Sequence, residues 1–119
     1  MADKSKFHSE LINAGANSSF DFPAVPEGKR ILIIKFGALD RALDNLGKGS
    51  FFVLQWGSAG NFAELAAISV VGNTIELPVS YQITGDGTKF LRVKSYNDSA
   101  TNKQIIWWLK AKELDNGEY

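Results

Sequence analysis

Apolar residues in this chain come in short runs, each cut off by glycine, asparagine or proline, at intervals of about eight to twelve residues. That punctuation is the signature of a β-sandwich or small barrel. It places strands over residues 6–12, 18–22, 30–36, 50–56, 68–71, 74–83, 89–96 and 103–112. The run RILIIKF at 30–36 is the strongest of them, rich in β-branched side chains. In 74–83, Ile75, Leu77, Val79, Tyr81 and Ile83 share one face, and Pro78 predicts an edge strand or a bulge. The glycine-rich stretch 84–88 predicts a hairpin that pairs 74–83 with 89–96.

Asp40 as cap, Leu39, Leu43 and Leu46 at helical spacing and Gly47 as stop predict one short helix. Residues 61–71 read mostly as strand, with a helical turn as the alternative because Asn61 and Glu64 have capping-box spacing. The expected fold is therefore all-β: a compact, jelly-roll-like antiparallel sandwich of eight or nine strands with at most one or two short helices. An immunoglobulin-like sandwich is the alternative, although the usual Cys–Trp–Cys pattern is missing. Residues 1–12 are expected to form an N-terminal arm and first strand, and 13–119 a single sandwich domain.

The chemistry-bearing residues are few. Among 119 residues there is no cysteine, so disulfides, thiolate metal sites and a cysteine nucleophile are excluded. The one histidine, His8, lies on a polar N-terminal segment and cannot make a histidine metal cluster alone. Asp40 and Asp44 read as helix capping and solvation, and Gly85-Asp86-Gly87 lacks the third glycine and the helix of a dinucleotide fingerprint. Gly47-Lys48-Gly49-Ser50 precedes a strand where a phosphate loop needs a helix. No enzyme activity, metal or cofactor is expected. Thirteen basic residues balance thirteen acidic ones, which removes the electrostatic footprint of a nucleic-acid or anionic-membrane binder. No apolar stretch approaches a bilayer span and the polar start is not a secretory signal, so the Asn17 and Asn97 sequons are read as chance.

The informative feature is strands that are apolar on both faces. Alternation sets Ile105, Trp107 and Leu109 against Ile106 and Trp108, and Phe51 and Val53 against Phe52, Leu54 and Trp56. It likewise sets Ile31 and Ile33 against Leu32, Ile34 and Phe36. A two-layer sandwich needs only one apolar face per strand, and large exposed apolar patches are rare on soluble monomers. A subunit interface is expected to cover the second face, with Phe52, Trp56, Ile106 and Trp108 as anchors and Phe7 and His8 reaching out from the arm. Cover by the helix and loops of the same chain, or a groove with an aromatic platform for a sugar ring, are the alternatives.

Residues 9–22 (SELINAGANSSFDF), 90–95 (FLRVKS) and the closing LKAK of 109–112 carry a resemblance. Their order resembles small virion structural proteins of tailed bacteriophages, jelly-roll capsid decoration (cement) or head-fibre proteins that often form trimers. The resemblance implies a homotrimer on the capsid surface, assembled in the host cytoplasm, with the major capsid protein as partner. A carbohydrate- or receptor-binding module using exposed aromatics is the other function expected.

Overall fold

In the computed structural model, which describes residues 2–40, 50–70 and 74–115, every regular element is a β-strand. In chain order these are β1 (Ala2–Asp3), β2 (Lys6–Ile12), β3 (Asn17–Asp21), β4 (Lys29–Asp40) and β5 (Ser50–Ser58). β6 (Asn61–Val70), β7 (Thr74–Thr84), β8 (Phe90–Asn97) and β9 (Lys103–Asp115) complete the set. Four antiparallel pairs nest inside one another: β2 with β9, β3 with β8, β4 with β7, and β5 with β6. Successive pairs alternate between two sheets, and β9 with β4 and β8 with β5 close each sheet. The sheets run β2-β9-β4-β7 and β3-β8-β5-β6, with β1 pairing β9 on the side away from β4. This is a jelly roll, a long double ribbon wound into a sandwich.

Alternation supplies the core. Leu91 and Val93 from β8 meet Ile105, Trp107, Leu109 and Ala111 from β9, all at 1% exposure or less. Asn97 continues the inner face of β8 and is fully buried, so its amide must be satisfied. Its Nδ2 donates to the carbonyls of Ile12 and Thr101, at 2.9 and 2.8 Å, and its Oδ1 accepts from Ser99. The sequon at Asn97 is thus closed off by burial.

Two expectations fail for identifiable reasons. Phe36 is fully buried beside Ile31 and Ile33 instead of opposing them, because a bulge between Ile33 and Lys35 turns both Ile34 and Lys35 outward. The stretch 84–88 is not a hairpin: β7 and β8 lie in different sheets, and it carries the chain across. It runs beside the loop joining β3 to β4, with Gly85 N donating to Lys29 O and Gly87 N to Val25 O. A Cβ on Gly85 would sit 2.5 Å from Pro26 O, so the contact between the two crossings demands glycine there.

Pro78 sits on the edge strand β7, opposite Lys35 at the bulge, the kind of position to which proline is confined in sheets. Residues 61–70 are strand, and the expected helix falls outside the described residues except for Leu39 and Asp40, which end β4. Gly72-Asn73, which as a glycine–asparagine step between two strands predicts a turn, also lies outside them. Residues 6–12 pair with β9 along their whole length, so the described part of the expected arm belongs to the first sheet.

The β5–β6 hairpin closes through Ala59 and Gly60, with φ of 51° and 79°, between the paired Ser58 and Asn61. Both central residues of such a turn need positive φ, which asparagine tolerates better than alanine. Ala59→Asn should therefore raise unfolding stability by about 1 kcal/mol, read from the denaturant midpoint. An unchanged or lower midpoint would contradict the assignment of strain to Ala59.

Candidate interaction surface

The two faces of β2 differ in character. Lys6, His8, Glu10 and Ile12 point toward the second sheet, and Phe7, Ser9 and Leu11 point to solvent. Phe7 is 65% exposed and Leu11 61%, the two largest exposures of large apolar side chains among the described residues. Ser9 between them accepts a hydrogen bond from Gln104 Nε2 at 2.6 Å. They form an apolar ridge along an ordered strand at the margin of the sheet.

The ridge continues onto the outer face of β9. Phe7 lies opposite Trp108, and Ser9 opposite Ile106. The Trp108 indole lies over Gly37 of β4, where an added Cβ would fall 2.3 Å from the ring. Glycine at this position is what lets the ring lie down on the sheet. Trp108 Nε1 donates to Glu76 Oε2 at 2.6 Å, and Lys35 Nζ stands 3.7 Å from the other carboxylate oxygen. Lys110 borders the shallow groove beside Phe7 and Trp108.

Below the ridge, the inner face of β2 carries a polar group at the open side of the sandwich. Glu10 Oε1 accepts from Ser18 Oγ of β3 at 2.8 Å and is hydrogen-bonded to His8 Nε2 at 3.0 Å. The bond from His8 first, then that from Ser18, holds the Glu10 carboxyl below the usual carboxylate range. A depressed carboxyl favours the folded state above its ordinary titration range, and that contribution is lost as pH falls through the depressed value. The His8 ring packs 5.5 Å from Phe20 and 5.4 Å from Trp107. Serine and histidine both bond to the carboxylate and not to each other, so this is a link between sheets and not a nucleophile–base pair.

The six residues expected at an interface therefore separate. Phe52 is fully buried and Trp56 is 9% exposed, and both belong to the core between the sheets. The face of β5 that alternation left open is the one carrying Phe51 and Val53. Their neighbours on the second sheet cover them: Val53 is 4% exposed, and Phe51 packs against Tyr96 at 5.9 Å. His8 faces inward, held by Glu10, Phe20 and Trp107. Ile106, Trp108 and Phe7 share the outer face of the first sheet, with Ile106 9% exposed. Leu11 was missing from the expected set. Its position two residues beyond Ser9, in phase with Phe7, was the available signal.

No protein-family model matches the sequence, and no curated protein matches it. Solved structures do share the fold. The Yersinia pseudotuberculosis-derived mitogen aligns with a TM-score of 0.56 at 12% identity, over 91% of this chain and 86% of that one. A chain of the infectious bursal disease virus Gt strain aligns with a TM-score of 0.52 at 9% identity, over 98% of this chain and 34% of its own. Dimeric latent PorU from Porphyromonas gingivalis aligns at 0.50 and 13% identity, over 97% of this chain and 13% of its own. At such identities the likeness is one of fold, and this chain spans only a minor part of the latter two.

Proposed function

We propose that this chain is a non-enzymatic structural protein of a virion, a self-associating capsid decoration protein that works by burying surface. The observation that carries the reading is the ridge of Phe7 and Leu11, 65% and 61% exposed on a regular strand beside Trp108. Ordered apolar side chains left in water favour any contact that covers them, at about 25 cal/mol per Å2. Contacts of this kind repeated over a shell add up without chemistry. The virion assignment itself rests on the resemblance of residues 9–22, 90–95 and 109–112. The viral chain of the same fold is compatible with it and adds the fold alone.

Virions from the genome that encodes this chain test the reading. Mass spectrometry of purified particles should find it in fixed proportion to the coat protein. Its absence from particles would overturn the virion assignment.

A second reading draws on a different feature. The Trp108 ring lying on Gly37, with Glu76 and Lys35 beside it, has the form of a stacking platform for a sugar ring. Binding of a defined glycan by a protein that stays monomeric would favour that reading over the first.

A further inference from the structure

We propose that a second copy of this chain completes the free edge of β2. The two β2 strands run antiparallel, with Ser9 opposite Ser9 on a twofold axis. The inference deepens the self-association proposed above and rests on it.

Four strands lie at the margins of the two sheets, and they are not equivalent. β7 carries Pro78, β6 is interrupted by a bulge opposite Leu54 and Gln55, and β3 is five residues long. Proline, bulges and short length are the devices that keep sheet edges from pairing. β2 has none of these three, and its charged residues, Lys6 and Glu10, face the second sheet. It pairs in unbroken register with β9 from Lys6 to Ile12, and among the described residues no strand lies along its other side. Its centre carries an apolar ridge where a blunted edge would carry lysine.

The sequence of β2 also selects its partner. Read antiparallel against itself about Ser9, Phe7 meets Leu11 of the second copy and His8 meets its Glu10. The apolar pair falls on the outer face and the polar pair on the inner face in both copies, as a continuous sheet requires. Both contacts occur twice, which is the isologous pattern of a twofold interface. A one-residue slip would set outward residues opposite inward ones. A two-residue slip in one direction puts Glu10 opposite Glu10, and in the other puts His8 opposite His8 and Phe7 opposite Ser9. Only the register centred on Ser9 joins apolar to apolar and carboxylate to imidazole.

The chain has no cysteine, so single thiols report the register directly. Residues directly opposite on antiparallel strands have Cα atoms about 4.5–5.5 Å apart, within the span of a disulfide. Ser9→Cys alone should give a covalent dimer on mild oxidation. Phe7→Cys alone should not, because its nearest copy lies four residues away along the strand, about 13 Å at the rise of an extended chain. Phe7→Cys mixed with Leu11→Cys should cross-link. All three positions are exposed or on the outer face, and a thermal melt of each variant checks that the fold is retained. If the unmodified chain is oligomeric and Ser9→Cys does not cross-link, or cross-links no better than Phe7→Cys alone, the β2 pairing is wrong while self-association stands. If the unmodified chain is a monomer, both fall.

Discussion

Trp107→Ala should leave the chain barely folded. Trp107 is 1% exposed and is the largest fully buried side chain among the described residues. Its indole lies 5.6 Å from Phe20 and 6.0 Å from Phe22, so it ties β9 of the first sheet to β3 and the following turn in the second. Replacing a buried tryptophan with alanine costs about 3–5 kcal/mol, against total stabilities of about 5–15 kcal/mol. In a domain of this size the melting temperature should fall by on the order of 10–20 °C, read by circular dichroism. Trp108→Ala, one residue on, should cost much less, because that ring is half-buried on the outer face and leaves no cavity between the sheets. Equal melting temperatures for the two variants would contradict the register of β9.

The second large effect is on association. Changing Phe7 and Leu11 together to lysine removes the ridge and places lysine opposite lysine across the twofold axis. Each anchor occurs twice in the interface and an interface anchor is worth about 2 kcal/mol or more, so association should weaken by several orders of magnitude. Both side chains are mostly in water already, so the melting temperature of the diluted protein should hardly move. Phe7→Lys combined with Leu11→Glu puts opposite charges across the axis and should recover part of the lost association. A double-lysine variant that associates like the unmodified chain would remove the ridge from the interface.

Much of the fold can be read from the sequence because strand alternation is local. Residues 6–12 and 105–109 announce their two faces within a few positions, and Pro78 marks an edge and a bulge. What fails is what depends on distant parts of the chain. Simple alternation sets Phe36 against Ile33, and only the pairing of β4 with β9 shows the extra residue between them. The glycines at 84–88 suit a hairpin as well as a crossing, and their tight approach to Pro26 appears only once β3 and β7 have been wound into the same ribbon.

The candidate site follows the same division. In β5, alternation identifies two apolar faces without saying which meets the other sheet, so Phe52 and Trp56 pass for interface residues although they fill the core. In β9 the same reasoning separates Trp107 from Trp108 correctly. Leu11 is aliphatic, and the residue types that mark an interface anchor in a sequence are chiefly aromatic. His8 and Glu10 look like surface residues, yet they point inward at the open side of the roll, where Ser18 and Phe20 can receive them.

The claim that self-association is built into this chain is tested most directly by sedimentation velocity of the unmodified protein over a range of micromolar concentrations. A species of at least twice the 13.0 kDa chain mass, dissociating on dilution and absent from the double-lysine variant, is the expected result. A single 13.0 kDa species at every concentration would contradict the account.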